Sequence, residues 1–547
     1  MDSSVSTIDD LLLRFEQLNE IGAALSSERD INRLLEKILI AAKQITNADG
    51  GTLYLLDEDG THLKFEILHS NSLNITMGGT SGNPIPFQPL PLAQPDGSPN
   101  ESMVAVYCAL HKCTINISDA YAAENFDFSG TRSFDSRTGY RSKSFLTVPM
   151  KNHESELIGV LQLINALDQN MGDVIAFSSE SQRLVESLAS QASIAVSNRQ
   201  LTLQQEKLFE SFIDMINFAI DDKSAYTGGH CQRVPTLTMM LAEAVANAED
   251  GPFASFRMTD QDRYELKIAG LLHDCGKITT PVHIVDKATK LETIYDRIDL
   301  VDTRFEVLKR DAEIAMLKAR LALRIPTDPL TERSLESGFK QQLDALEQDR
   351  AFLQHANTGS ETMEEKDRQA VRDIGTKRKW TNPNGDTVDF LTANEMDNLT
   401  IRSGTLGKAE RDIINHHIVV TIKMLESLPW VKHLKRVPEY AGGHHERMDG
   451  KGYPRGLTRD EMSVQARIMG IADIFEALTA SDRPYKPGKT LSESLQIMKK
   501  FRINGHIDPD LFDIFVQSKV YLRYAHQFLS PEQIDMVNEA SILQSAA

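Results

Sequence analysis

Apolar positions near the start of the chain recur every three or four residues: Leu11, Leu12, Phe15, Leu18 and Ile21, then Leu34, Leu35, Ile38 and Ala41. That period predicts helix over residues 8–45. Asp49-Gly50-Gly51 breaks the run, and the spacing then changes. Residues 52–56 read as a strand, 57–60 as a turn and 63–68 as the hairpin partner. Residues 79–100, rich in Gly, Pro, Ser and Asn, predict a loop. Further strands are expected near 113–117, 144–150 and 157–165. The order helix, hairpin, loop, strands, helix describes an α+β domain with an antiparallel sheet. Cys108 and Cys113 suit a half-buried strand better than a metal pair, because no second Cys or His pair accompanies them.

Residues 180–222 predict one long helix. Leu208, Phe212, Met215 and Ala219 alternate by four and three, and Leu184, Leu188 and Leu201 extend the stripe imperfectly. This spacing offers a seam to a parallel partner helix. That reading is preferred to packing on its own domain, because the helix separates a sheet-containing part from one rich in site-type residues. Such a helix can transmit a rotation or register shift. Helix continues from 208 to about 290, with 264–272 leading into His273-Asp274. Residues 292–360 are highly charged. One stripe holds Ile294, Ile298, Val301, Phe305, Leu308, Ile314 and Leu317, and a second, after Pro326 and Pro329, holds Phe339, Leu343, Leu346 and Leu353. The pattern predicts two antiparallel helices projecting from the domain, with most charges solvated. Asn382-Pro383-Asn384-Gly385-Asp386 signals a turn. Helices near 407–428, 462–480, 490–503 and 510–523 make the C-terminal half nearly all-α.

The chain has 547 residues, too many for one hydrophobic core, so two or three domains are expected. No apolar run reaches about 18 residues, so no membrane span is expected. The start, Met1-Asp2-Ser3-Ser4, is unlike a secretory signal, and four cysteines are too few for a disulfide framework. The expected compartment is the reducing cytoplasm. A net charge of −19 disfavours DNA and other nonspecific nucleic-acid binding, which phosphate attraction dominates. It leaves room for a small anionic ligand in a locally basic pocket.

Five stretches of the C-terminal half carry site-type residues: His230, His273-Asp274, His416-His417, His444-His445 and Asp473. A lone histidine is usually a satisfied core or surface side chain. Five such stretches, on or beside helices of one all-helical part, are harder to dismiss. Histidine and carboxylate without thiolate suit iron, manganese or zinc. An Asp next to a His can bridge two metals, and metals about 3.5–4 Å apart can hold a bridging hydroxide for in-line attack on phosphorus. The densest stretch, His444-His445-Glu446-Arg447-Met448-Asp449-Gly450-Lys451-Gly452-Tyr453-Pro454, is neither helix nor strand sequence. Gly450 and Gly452 allow backbone angles other residues resist, and Pro454 fixes the chain as it leaves the turn.

Over roughly residues 10–200 the chain resembles a GAF domain, through Asn47-Ala48-Asp49-Gly50-Gly51-Thr52-Leu53-Tyr54-Leu55, Leu146-Thr147-Val148-Pro149-Met150 and Ile158-Gly159-Val160-Leu161-Gln162-Leu163-Ile164-Asn165. GAF domains that bind cyclic nucleotides carry an Asn-Lys…Phe…Asp-Glu pattern. Asn165 and Phe177 fit it, but Ala166 stands in place of the Lys. No GAF ligand is therefore assigned, and a domain used only for dimerisation and relay is an equal reading.

Residues 208–530 resemble the HD-GYP phosphodiesterases of the HD superfamily. The resemblance is carried by Tyr226-Thr227-Gly228-Gly229-His230, by His273-Asp274-Cys275-Gly276-Lys277, by His417 with Met424-Leu425, by the 444–454 turn, by Ala472-Asp473-Ile474-Phe475-Glu476-Ala477-Leu478-Thr479 and by Asp482-Arg483-Pro484-Tyr485-Lys486. It implies hydrolysis of cyclic di-GMP to linear pGpG, in some members on to GMP, by a metal-bridging hydroxide. It implies the metal ligands His230, His273, Asp274, His417, His444, His445 and Asp473, with Asp274 bridging two divalent ions, iron or manganese. Met424-Leu425 sets the register on His417 rather than His416. Lys277 is placed to touch the scissile phosphate or protonate the leaving oxygen, and burial beside metals is expected to lower its pKa. Arg483 and Lys486 are the implied clamp on the second phosphate. Tyr453 shapes the loop or stacks near a guanine.

Two departures follow. Members with a third metal have a Glu four residues before the first His, where this chain has Tyr226, so two metals are expected. The family's short connection after the HD signature is interrupted by residues 292–403, an insertion that serves as a lid, a dimer arm or a partner site. The expected organisation is a GAF sensor domain (1–195), a connecting helix (180–222), an HD-GYP domain (208–530) with its helical insertion, and a tail (531–547). The expected assembly is a homodimer through the GAF domain and the connecting helix, with the Gly-Tyr-Pro loop and the insertion as candidate protein-partner sites. Two other readings stay open: an HD hydrolase acting on another cyclic dinucleotide or nucleotide, and a catalytically weak cyclic di-GMP receptor.

Overall fold

Asp30 accepts a hydrogen bond from the Arg33 amide and so caps α1 (Ile31–Thr46). The one helix expected over 8–45 is therefore interrupted: a first helix ends at residue 27 and α1 starts anew after the cap. The computed structural model describes residues 19–168, 171–223, 229–323, 329–359, 362–481 and 488–544. α1 ends at Asn47, whose φ of 51° turns the chain, and not at the glycines that follow. Asp49, Gly50 and Gly51 already belong to β1 (Ala48–Leu56).

β2 (His62–Ser70), β3 (Ile75–Gly78) and β4 (Leu90–Pro91) follow, then α2 (Val104–His111), β5 (Ile115–Ile117), α3 (Ser129–Thr138), β6 (Phe145–Lys151), β7 (Leu157–Leu167) and β8 (Val174–Ile175). They form one antiparallel sheet ordered β3-β2-β1-β7-β6-β5, with β4 on β2 and β8 on β7. The period of two sorts side chains between its faces. Leu53, Leu55, Leu161 and Leu163 join Leu34, Leu35 and Ile38 of α1 in one core, completed by Val185, Leu188 and Ala192 of α4 (Ser179–Lys223). Tyr54 and Val160 on the other face meet Val106 and Cys108. Cys108 thus lies buried on α2, not on a strand. The segment from 104 to 111 is apolar on nearly every side, which hid its helical period. Cys113 follows in a loop.

The chain divides into two units, Met1–Glu210 and Ser211–Ala547. α4 runs through the division. Leu188 is spent in the sheet core, so the outward stripe begins later than expected. Ile194, Leu201, Leu208 and Met215 stand seven residues apart and are 45–58% exposed.

The second unit is helical: α5 (His230–Ala246), α6 (Asp260–Leu272), α7 (Ile298–Ala322), α8 (Pro329–Asn357), α9 (Glu365–Lys377), α10 (Ala393–Leu399), α11 (Lys408–Glu426), α12 (Val437–Gly442), α13 (Val464–Thr479), α14 (Leu491–Ile503), α15 (Pro509–Gln517) and α16 (Val520–Phe528). α13 packs on α5, and α12 packs on both α6 and α11. The helix expected over 510–523 is two, because Lys519 adopts φ 51° between α15 and α16. Residues beyond 530 fold back on the unit: Ile542 is buried and Tyr521 Oη donates to Glu539 at 2.6 Å.

The insertion is more than a helical pair. Around the expected turn at 382–386 a hairpin pairs Lys379–Thr381 with Thr387–Asp389. Val301 and Phe305 of α7, Leu346 and Leu353 of α8, Val371 of α9 and Phe390 share a separate core. Arg304 binds the buried Glu395 carboxylate through two nitrogens, each at 2.8 Å, and so ties α7 to α10. Only part of the expected stripe faces inward, since Ile294 is 92% exposed and Ile314 and Leu317 are also outside. Among the described residues no helix is long and apolar enough to cross a membrane.

Candidate metal centre

Helix ends deliver most of the expected ligands to one place. His230 opens α5, His273 and Asp274 follow α6, and His444 and His445 follow α12. His417 projects from within α11 and Asp473 from within α13. Three triads each bring one donor atom per residue within 4.8 Å: His230, His273 and Asp473; His273, Asp274 and His444; His417, His444 and His445. Sharing His273 and His444 joins all seven residues in one cluster. His416 is exposed, away from it. Asp274 Oδ2 is 3.0 Å from His230 Nε2 and Oδ1 is 3.2 Å from His417 Nε2. Its two oxygens therefore face opposite halves of the cluster, as a bridging carboxylate requires.

Two close approaches explain the local sequence. A Cβ on Gly276 would stand 2.1 Å from the His417 carbonyl oxygen, so only glycine lets the turn Cys275–Thr279 close on α11. The Gly276 amide then donates to Thr421 Oγ1 at 2.9 Å. In the 444–454 turn, Gly450 has the expected positive φ, 73°. Gly452 is needed instead for space, because a Cβ there would meet the Arg447 amide nitrogen at 2.4 Å. Glu446, buried, accepts the amides of Arg455 and Leu457 at 2.7 and 2.9 Å and stitches the loop. The Tyr453 ring stacks on His445, with centroids 4.8 Å apart.

His273, His417 and His444 each hydrogen-bond through Nδ1 to the carbonyl three residues earlier, at 2.7, 2.5 and 2.6 Å. Their Nε2 lone pairs consequently point inward. His417 Nε2 lies 3.2 Å from both His445 Nε2 and Asp274 Oδ1. His444 Nε2 and Asp274 Oδ1 are buried and have no hydrogen-bond partner among the described residues. Burial, with His273 adjacent, lowers the His444 pKa to about 4, and burial with His444 and His417 holds His445 well below the usual range. Both are therefore neutral at pH 7, the form that ligates metal. Burial opposes the charge on His230, but hydrogen bonds to Asp274 and Glu476 outweigh it and raise its pKa to about 9. A bound cation would have to displace that proton. Five imidazoles and two carboxylates without thiolate fit divalent cations.

Lys277 sits between burial and two carboxylates. Burial does push its pKa down, but Asp274, 2.6 Å from Nζ, and Asp473 outweigh it, so the pKa is raised. Glu476 was passed over at the sequence level. It is buried and touches His230 and Arg233. Its place three residues after Asp473, on the same helical face, was the available signal. Tyr226, Arg483 and Lys486 lie outside the described residues.

The N-terminal unit holds a separate cavity of about 430 Å³, lined by Tyr54, Phe65, Phe128, Phe134, Arg137 and Tyr140 among others. Neither Asn165 nor Phe177 lines it. Asn165 clips the neighbouring backbone, its Oδ1 accepting the Lys143 amide at 2.7 Å, and Phe177 sits in the core on the opposite face of the sheet.

These features define the class of the two parts. Residues 30–196 match the GAF domain family, and residues 227–349 and 350–511 match HD domain families. The chain carries a GAF domain followed by an HD domain, the latter from a class of metal-dependent hydrolases. Both HD matches contribute to the cluster, the first with His230, His273 and Asp274, the second with the other four residues. Over 111 residues the chain is 40% identical to a 3′3′-cGAMP-specific phosphodiesterase of Vibrio cholerae, covering 20% of this chain and 23% of that protein. Over 117 residues it is 37% identical to a cyclic di-GMP phosphodiesterase of Pseudomonas aeruginosa, covering 21% and 27%. The chain thus spans about a quarter of the length of these relatives. The GAF domain of an Acinetobacter phosphoenolpyruvate-protein phosphotransferase aligns with 35% of this chain and 98% of its own length, at 15% identity and a TM-score of 0.24.

Proposed function

We propose that the chain is a metal-dependent phosphodiesterase that hydrolyses cyclic di-GMP to linear pGpG. The observation that carries this reading is the convergence of seven His and Asp side chains whose ligand atoms group within 4.8 Å, two of them, Asp274 Oδ1 and His444 Nε2, buried without a hydrogen-bond partner among the described residues. Two divalent ions per chain, iron or manganese, would supply Lewis acidity to the phosphoryl group and activate water. The chain's own groups account for the rest. Asp274 presents one oxygen to each half of the cluster. Lys277 keeps 22% of its side chain exposed beside Asp274. Its ammonium is placed to touch the scissile phosphate or to protonate the leaving oxygen. Tyr453 walls the cluster by holding the His445 ring, and Arg483 with Lys486 is the proposed clamp on the second phosphate.

The GAF cavity gives regulation a place to act. The exposed seven-residue repeat on α4 suits a parallel homodimer whose helices carry the signal. The identity to a relative named for 3′3′-cGAMP favours a second reading, a preference for that mixed dinucleotide.

The test is metal analysis of anaerobically purified chain, with hydrolysis of cyclic di-GMP and 3′3′-cGAMP followed on the same sample. About two metals and linear pGpG support the reading. Faster turnover of 3′3′-cGAMP moves it to the second. Two metals without either product leaves a cyclic-dinucleotide receptor, and no metal overturns the proposal.

A further inference from the structure

The imidazoles of the cluster are not held alike. His273, His417 and His444 lean on backbone carbonyls, those of Gly270, Ile414 and Ala441. His230 is the first residue of α5, and Gly229 before it turns the chain with φ 85°. Its Nδ1 lies 2.6 Å from Oε2 of Glu476, a carboxylate whose side chain is 1% exposed. The other oxygen of Glu476 is gripped by Arg233 through Nε and Nη2, both at 2.7 Å. α13 therefore offers a carboxylate to each nitrogen of one ring: Glu476 to Nδ1, and Asp473, 3.5 Å away, on the Nε2 side.

A carboxylate accepts the imidazole proton more strongly than a carbonyl does. It fixes the tautomer and makes the opposite nitrogen a better electron-pair donor. The same contact is absent from the His417–His444–His445 triad, whose described Nδ1 partners are carbonyls. We infer that Glu476 is a positioning residue that makes the His230–His273–Asp473 position the tighter of two unequal cation positions. Arg233 neutralises the carboxylate and holds it in place, and so belongs to the same device. This inference rests on the metal-centre reading above.

The experiment uses the full chain, stripped with chelator and titrated anaerobically with Mn²⁺ by calorimetry. Wild type is expected to bind in two resolved steps. Glu476→Gln keeps the volume and removes the charge. It should weaken the tighter step roughly 10- to 100-fold and leave the weaker step unchanged. His417→Ala should do the reverse, removing the weaker step and sparing the tighter. Weakening of both steps together in Glu476→Gln, or of neither, overturns the inference while leaving the phosphodiesterase reading intact. Absence of Mn²⁺ binding in wild type overturns the metal-centre reading itself. Should Glu476→Gln fail to fold, Glu476→Asp, which keeps the charge on a shorter arm, is judged by the same selective loss.

Discussion

The histidine cluster of the second unit and the cavity of the first are prepared for ligands by opposite means. In the cluster, the buried Asp274 Oδ1 and His444 Nε2 lack hydrogen-bond partners among the described residues. The cavity has about 430 Å³ of space, and several polar groups near it are bonded to one another. Asp49 accepts from Ser70 and Tyr140, which line the cavity, and from Ser72, and the lining Gln162 donates through Nε2 to Thr147 at 3.1 Å. An ion site declares itself by unmet lone pairs, whereas a site for a molecule declares itself by emptiness.

The largest effect that could break this comparison is expected at Asp274. Asp274→Ala removes the group facing both halves of the cluster, so metal content should collapse and hydrolysis fall by more than about a thousandfold. Metal analysis beside the assay checks it, and retained turnover would contradict the assigned site. Lys277→Ala comes next. Turnover should fall by roughly 10²–10⁴ with metal content nearly intact, because Lys277 serves the phosphate and not the ion. Equal loss of both would sink that role.

Asp49→Ala tests the other side. It strands two serine hydroxyls and a tyrosine hydroxyl, and should cost the N-terminal unit about 2–3 kcal/mol. Denaturant melts would record that loss, and metal stoichiometry should not change.

The smallest effect is electrostatic. Lys43 Nζ is buried against His69 Nδ1 (2.5 Å) and Asn71 Oδ1 (2.9 Å), and burial lowers its pKa from the ordinary 10.5 to about 8. Between those values the unfolded chain holds more protons than the folded one, so stability should rise with pH across that window. The gain is about 1 kcal/mol after solvent screening. Melts at pH 7.5 and 10 on wild type and Lys43→Met check it, since the variant should lose the slope.

How much of this was legible varied with distance along the chain. His273-Asp274, His444-His445 and the glycines beside them are local signals, since a turn that closes on a neighbouring helix dictates its own small residues. The five expected strands of the sheet were legible within a few residues of their ends, whereas the short β3, β4 and β8 were not, because two to four residues carry too little alternation to read. Cys108 was misplaced because a segment apolar on nearly all sides has no readable period. The insertion was read as a helical pair because the core that binds its hairpin and its shorter helices joins residues from 291 to 399. The cavity left no trace, since space is not a residue pattern.

By itself, the sequence determined the two domain types, the long helix between them and the identity of the candidate ligands, all of which follow from short-range pattern and spacing. Only the tertiary structure decided which donors meet, that Lys277 Nζ lies 2.6 Å from Asp274, and that Glu476 grips His230 across 246 residues of chain. Those outcomes depend on distances of about 3 Å between side chains far apart in sequence. Such distances are set by how α5, α6, α11 and α13 pack and cannot be read from any one of them.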